Sequence, residues 1–236
     1  MARYKQYGYD IQNGKAIIPE WETEIKEEAF KWCGELTSVE FPQWIKKIGK
    51  DAFNGCSSLT EITLPEWVEE IRESAFFGCE NLKSINLPRW VTRIGGSAFY
   101  GCSSLTSITI PESVTEIRGW AFSGCSSLTS ITIPPSVAEI GWGAFNRCSS
   151  LTSITVFRDN KVYDSQEDCN AIIHTESNTL ILGCENTTIP PIGDEDWGIC
   201  FLWLLQPHEH LHTPIGDGDW ELCFLLLLQP HEHHHS

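Results

Sequence analysis

The chain has 236 residues, of which 41% are hydrophobic and 20% charged, a composition typical of a globular protein rather than a disordered one. Its formal net charge of −16 repels phosphate backbones, so we expect no nucleic acid partner. The longest apolar runs, such as residues 223–228, are far shorter than the roughly 20 residues of a membrane-spanning helix, so no membrane insertion is expected.

Residues 1–16 precede the first regular repeat. Their opening stretch, Met-Ala-Arg-Tyr-Lys-Gln, lacks the apolar run of a secretory signal. As it stands, the sequence therefore predicts a cytoplasmic protein, or a cell-surface or secreted one if it is a fragment of a longer chain. We expect this segment to cap an open sheet edge, which would otherwise pair with another chain.

A 23-residue period dominates the chain from residue 17 to residue 156. Each of six units carries one proline, one Ala-Phe pair and one cysteine. The recurring residues are Pro19, Pro42, Pro65, Pro88, Pro111 and Pro134, then Phe30, Phe53, Phe76, Phe99, Phe122 and Phe145, and Cys33, Cys56, Cys79, Cys102, Cys125 and Cys148. Each cysteine is one unit's copy of a single position, so the set predicts a buried apolar column rather than disulfides, metal ligands or redox groups.

Each unit predicts a strand, a turn and a short arm. In the unit that starts at Pro111, residues 128–133 have the L-x-x-I-x-I spacing of a leucine-rich-repeat strand. Alternation places the isoleucines inward and leaves Ser130 and Thr132 outward. The following proline ends the strand because it cannot donate to a ladder. The Ala121-Phe122 stretch predicts a short helix-like arm on the opposite side.

The unit resembles the BspA-type leucine-rich repeat, whose motif I-G-x-x-A-F-x-G-C-S-S-L-T-S-I-T-I-P it carries over six repeats at residues 17–156. The expected fold is an α/β solenoid, a right-handed coil of 23-residue repeats around one continuous core. The resemblance implies a non-enzymatic protein-interaction or adhesion module, because members of this family are often bacterial or protozoan surface adhesins that bind host matrix proteins. A fragment of a longer adhesin would then act at the cell surface or outside the cell.

Residues 157–190 resemble a variant unit of the same family. Residues 171–173 and 180–182 are apolar, and a turn signal at Ser177-Asn178 lies between them. They predict a short β-hairpin insertion that interrupts the regular coil.

From Pro191 the chain keeps the period but loses the repeat residues. Its two halves begin Pro-Ile-Gly-Asp at residues 191 and 214, which are 23 residues apart, and both end in histidine-rich runs. These runs have the ligand types of a zinc or nickel site. Back-translation with a one-nucleotide skip instead permits the repeat's own residues in register. We interpret residues 191–236 as an aberrant tail, two repeats read out of frame, with no metal role and with apolar runs that favour self-association.

Four tryptophans share one repeat position, two residues after the proline: Trp21, Trp44, Trp67 and Trp90. Stacked coils would align them along one surface, where indoles suit a protein partner or sugar rings. Packing against neighbouring side chains is a second interpretation. A third is a decoding change from glycine, because Trp32, Trp120 and Trp142 fall where neighbouring units carry Gly or another small residue.

The outward strand positions of the later repeats form a second candidate surface, uncharged and rich in hydroxyls. Its residues are Ser107, Thr109, Ser130, Thr132, Ser153 and Thr155. Solvated strand positions alone would also explain these residues. There is no phosphate-binding loop or dinucleotide motif, and no obvious nucleophile pairs with His174, so we expect neither catalytic residues nor a cofactor. The partner is expected to be a protein, with a glycan bound by the tryptophans as the alternative.

Overall fold

The computed structural model describes residues 4–6, 9–165, 170–177 and 179–183, which form a β-solenoid. Each coil contributes one strand to the back sheet, and each coil except the fourth contributes one strand to the front face; turns join the two. The front strands are β3 (Lys15–Ile17), β5 (Ser38–Glu40), β7 (Glu61–Thr63), β9 (Ser84–Asn86), β12 (Ser130–Ile133) and β14 (Ser153–Val156). The back strands are β4 (Glu24–Ile25), β6 (Lys47–Ile48), β8 (Glu70–Ile71), β10 (Arg93–Ile94), β11 (Glu116–Ile117) and β13 (Glu139–Ile140).

Strand pairing follows the sequence period. The back sheet is six-stranded and parallel, in the order β13-β11-β10-β8-β6-β4, and each residue pairs with its copy in the next coil, as Ile94 does with Ile117. In front, β3 pairs with β5, β7 with β9 and β12 with β14 in the same parallel register. The fourth coil adds only a bridge from Ser84 to Ser107. The predicted strands are confirmed; the handedness of the coil and the limits of the four predicted segments stay predictions.

The expected helix-like arm is wrong, and with it the α/β class, because no helix occurs in the described part of the chain. The residues around each Ala-Phe pair form consecutive turns. Two backbone positions in every coil, the residue before Ala and the residue before Cys, have positive φ, and a right-handed helix cannot continue through them. They are Glu28, Asp51, Ser74, Ser97, Trp120 and Gly143, then Trp32, Gly55, Gly78, Gly101, Gly124 and Arg147.

A ladder of backbone hydrogen bonds joins these arms from coil to coil. The N–H of Phe76 donates to the carbonyl of Ala98 at 2.7 Å, and the phenylalanines of the first, second, fourth and fifth coils repeat this bond at the same length. The arm therefore satisfies its backbone groups between coils, as a sheet does, and not within a helix.

The core is a stack of equivalent side chains. Phenylalanine rings of successive coils lie parallel with centroids 5.2–5.4 Å apart, from Phe30 to Phe145. Tyr9, in strand β2 (Tyr9–Gln12) of the N-terminal hairpin with β1 (Tyr4–Gln6), extends the stack with a centroid 5.4 Å from that of Phe30. The N-terminal segment thus covers the first coil with a matching ring.

The predicted cysteine column is confirmed, because all six repeat cysteines are buried and carry free thiols. Each thiol from Cys56 onward donates to the carbonyl of the phenylalanine 26 residues earlier, as Cys102 does to Phe76 at 3.2 Å. Burial raises the pKa of Cys79 and of Cys148 to about 12. The column is therefore a packing element of neutral thiols.

Side chains of the variant unit bond to the backbone of the last regular coil. Asn160 donates to the carbonyls of Pro134 and Val137, and the hydroxyl of Tyr163 accepts the N–H of Ile140 at 2.8 Å. The predicted hairpin is confirmed: after β15 (Tyr163–Asp164), β16 (Ala171–His174) pairs antiparallel with β17 (Thr179–Gly183). The predicted out-of-frame tail, residues 191–236, lies outside the described residues.

We expect Phe76→Ala to lower the free energy of unfolding by about 3–5 kcal/mol, because it removes a fully buried ring from the middle of the stack. Phe77→Ala is the matched control, because Phe77 is adjacent but half-buried, and its cost should be about 1 kcal/mol. Urea unfolding followed by circular dichroism measures both; equal losses would contradict the stack as the main source of stability.

Stability should fall as the pH rises from 9 toward 12, between the ordinary and the folded pKa of the buried thiols. Cys79 and Cys148 have folded pKa values near 12, above their ordinary value of 9.0, so their contribution is complete below pH 9 and is lost as the unfolded chain ionises. Urea midpoints across this range measure the effect. A Cys79→Ala chain should show a shallower decline, and a midpoint independent of pH would refute the argument.

Candidate binding surfaces

The four predicted tryptophans, hereafter the Trp line, lie at the corner where each front strand turns toward the back sheet. After Trp21, Trp67 and Trp90 the next residue donates its N–H to the proline carbonyl, as Val68 does to Pro65 at 3.2 Å, so each of these tryptophans is the third residue of a β-turn. Trp21, Trp44, Trp67 and Trp90 are 79%, 58%, 47% and 45% exposed. All four side chains are therefore exposed, Trp21 the most and Trp90 the least, and none belongs to the buried core.

The Trp line divides into two different halves. The rings of Trp67 and Trp90 stack with centroids 6.1 Å apart and planes 7° apart. The guanidinium carbon of Arg89 lies 5.4 Å from the Trp90 ring centroid, and Arg89 Nη2 is 2.9 Å from Glu66 Oε1. Trp21 and Trp44 stack on no other ring among the described residues. The first two coils thus leave their indole faces open, whereas those of the third and fourth coils are partly covered.

The Trp line ends where serine replaces tryptophan. In the fifth coil the hydroxyl of Ser113 donates to the carbonyl of Val91 at 2.6 Å, a bond to the preceding coil that an indole at this position does not make. The corner is therefore compatible with either residue. The inter-coil hydrogen bond belongs to Ser113, because the buried hydroxyl of Ser136 in the sixth coil has no partner among the described residues.

The predicted hydroxyl-bearing residues, from Ser107 to Thr155, are all exposed on the outer side of the front sheet. Their hydroxyls make no hydrogen bond with the described residues, so they are available to a partner. Residues 61–63, 84–86 and 107–109 line a shallow groove of about 220 Å³ on this face. That volume is below the roughly 300–1,000 Å³ of small-molecule pockets.

Other serines and threonines of the same motif serve the coil instead. The hydroxyls of Thr106, Thr129 and Thr152 donate to carbonyls one coil earlier at 3.4 Å, and Ser103, Ser126 and Ser149 do the same at 3.2–3.4 Å. Residue type does not separate the two groups in the sequence. Position in the repeat distinguishes the two groups, because the residues that bond to the preceding coil come before the front strand in each unit.

Sequence reasoning missed two polar features. Arg89 and Glu66, each just before a tryptophan, hold the ion pair on the Trp line, and the signal was their place in the P-x-W motif. The expectation that no nucleophile pairs with His174 is wrong, because Ser177 Oγ lies 2.9 Å from His174 Nδ1. Ser177 N–H also donates to that atom, at 3.3 Å, so the contact closes a local turn.

Within the described ranges, no group of three or more His, Cys, Asp or Glu side chains is placed to hold a metal ion. The same residues include no helix long and apolar enough to span a membrane.

The family model described as BspA type Leucine rich repeat region matches residues 23–152 and 69–179, with six copies. The chain belongs to this family. No curated protein matches it in sequence.

Solved structures of bacterial leucine-rich repeat proteins are similar to this BspA-type chain. A leucine rich cell surface protein from Faecalibacterium prausnitzii A2-165 is 28% identical with a TM-score of 0.58, and the match covers 77% of this chain and 61% of that one. The leucine rich repeat protein of T. pallidum is 33% identical with a TM-score of 0.51, over 62% of this chain and 66% of that one. The pneumococcal vaccine antigen PcpA, at 22% identity and a TM-score of 0.55 over 76% and 55% of the two chains, shares the fold. This chain therefore spans less than two thirds of the length of these relatives.

We expect Trp67 and Trp90 to be energetically coupled, because their rings stack. A double-mutant cycle with Ser at both positions, measured by urea unfolding, should give a coupling of about 0.5–1.5 kcal/mol. The same cycle on Trp21 and Trp44, whose rings do not stack, is the control and should give a coupling near zero. Equal couplings would contradict the division of the Trp line.

Proposed function

We propose that this chain is a non-enzymatic protein-interaction module, of the adhesion type, which binds a protein partner on its repeat surface. The row of four exposed indoles on a regular scaffold is the observation that carries the proposal. Indoles are frequent anchors of protein interfaces because they bury a large area at a low entropic cost. The neighbouring hydroxyls of the front sheet add hydrogen-bonding groups that an extended partner can use.

The proposal includes display at a cell surface. The similar Faecalibacterium prausnitzii protein is described as a cell surface protein, and this chain covers 61% of its length. The repeat coils are then one part of a longer surface protein. A repeat array suits this role because each coil depends only on its neighbours, so the binding surface lengthens with the number of coils.

A glycan is the second candidate ligand, and the open faces of Trp21 and Trp44 favour it. Sugar rings bind flat against an aromatic face, and neither indole is covered by another ring among the described residues. Trp67 and Trp90 favour it less, because they cover one face of each other and Arg89 lies over Trp90. The two uncovered indole faces offer room for a short glycan, whereas the four tryptophans of the Trp line together form a longer surface that suits a protein.

The test compares the chain with a Trp21→Ser/Trp44→Ser variant against immobilised extracellular-matrix proteins and glycans. Serine is chosen because the fifth and sixth coils carry it at this position. We expect at least one matrix protein to bind, with a loss of about tenfold in affinity in the variant. Trp142→Ser is the matched control, because Trp142 is 66% exposed at another repeat position, and it should change nothing.

A second variant, Thr132→Lys, places a long charged side chain on the front sheet. Loss of binding in this variant assigns the hydroxyl surface to the same interface as the Trp line. Binding to matrix proteins that survives both changes would refute the proposed surface. Binding to glycans alone, lost in the tryptophan variant, would replace the proposal with the second candidate.

A further inference from the structure

On the Trp line, Trp90 and Glu66 form a binding site for an arginine side chain, and Arg89 of the same chain occupies it. Arg89 lies over Trp90, with its guanidinium carbon 5.4 Å from the ring centroid, and it reaches back one coil to Glu66 at 2.9 Å. The guanidinium thus contacts an indole face and a carboxylate at once. Arg89 and Glu66 are 70% and 60% exposed, so this arrangement forms at the surface and needs no burial.

The first two coils carry a glutamate and a tryptophan at the same repeat positions, without the arginine. Glu20 is the 23-residue copy of the position before Trp in the first coil, as Glu66 is in the third. In the second coil, Trp44 corresponds to Trp90, and Gln43 takes the place of Arg89. Glu20, Gln43 and Trp44 are all exposed, and Glu20 forms no salt bridge with a described residue.

The charges nearby favour a cationic occupant. Residues 20–28 contain five glutamates and a single lysine, Lys26, which pairs with Glu22 at 3.5 Å. The lysines of the second coil are directed to the third coil, because Lys46 pairs with Glu69 at 3.5 Å and Lys47 with Glu70 at 3.8 Å. Among the described residues, the carboxylate of Glu20 therefore has no cation opposite it, and a positively charged partner complements this end of the Trp line.

We propose that Trp44 and Glu20 bind an arginine side chain of the protein partner, in the way that Trp90 and Glu66 hold Arg89. This inference rests on the proposed function and names the chemistry of its partner, an extended segment that carries arginine. A guanidinium is planar, so it stacks on an indole while its edge donates to a carboxylate. A lysine ammonium does not combine the two contacts in this way.

A single-arginine peptide with blocked termini tests the site, with matched lysine and glutamine peptides as controls. The indole Nε1–H resonances, followed by NMR, report on each tryptophan of the full chain separately. We expect the arginine peptide to shift Trp44 and to leave Trp142 unchanged. The lysine peptide should bind at least about threefold more weakly. Trp44→Ser and Glu20→Gln should each lower the affinity for the arginine peptide about fivefold or more.

Two substitutions change the occupancy of the two sites in opposite directions: one fills the site at Trp44, and the other empties the site at Trp90. Gln43→Arg supplies the chain's own guanidinium and should lower the affinity for the arginine peptide about tenfold, whereas Gln43→Lys adds the same charge and should lower it no more than about threefold. Arg89→Gln opens the internal site, and the peptide should then shift Trp90 as well as Trp44. Urea unfolding of each variant confirms that it folds.

Peptide binding that weakens with salt but is indifferent to Trp44→Ser would mean general attraction to an acidic chain, and would overturn the inference. Equal effects of Gln43→Arg and Gln43→Lys would overturn it too. If the arginine peptide does not bind while matrix proteins still bind through the Trp line, the inference alone is wrong. If no protein binds, the proposed function fails and the inference fails with it.

Discussion

Every coil of this protein stacks on a copy of itself, and this constraint decides which residues recur. A residue at a shared position must tolerate its own equivalent about 5 Å away. Flat rings do so by stacking, from Tyr9 to Phe145, and cysteines do so by donating to the preceding coil. Charged residues do not tolerate their own copies, so the signs alternate along the back sheet: Lys47, Glu70, Arg93 and Glu116 are joined by contacts of 3.3–4.0 Å. Where Glu139 follows Glu116, Arg118 neutralises the latter at 2.6 Å.

The same constraint explains why the arm is not a helix. A helix would satisfy its N–H groups internally, whereas here alternate N–H groups of the arm bond to the next coil. That geometry requires two residues with positive φ in each coil, and glycine adopts such a φ at least cost. Trp32, Trp120 and Arg147 hold positive φ without being glycine, and the indole of Trp32 lies so close to Gly55 that a Cβ there would overlap it. Nothing in the coil explains a tryptophan at these two positions, so the decoding interpretation stays a prediction for them.

The period made the strands, the phenylalanine stack and the cysteine column predictable, because apolar residues that recur every 23 residues pack by stacking on their equivalents in the next coil. The arm was not predictable from composition, since Ala-Phe flanked by Ser, Asp or Gly resembles a helix start as much as a turn with positive φ. The binding surfaces were predictable in part. Aligned tryptophans could be read from the sequence, but the pairing of Arg89 with Trp90, and the distinction between Thr106 and Thr109, depend on where each side chain points.

The positions at which the coils carry different residues give the most information about function. A residue shared by all coils serves stacking, so its presence says little about a ligand. The corner position differs, because Ser113 bonds there to the preceding coil, whereas Trp21 and Trp44 add exposed apolar area and no described bond. Trp21 and Trp44, which no other described ring covers, lie in the same part of the surface as Glu20, which forms no salt bridge with a described residue; our proposal of an arginine-bearing partner rests on this combination.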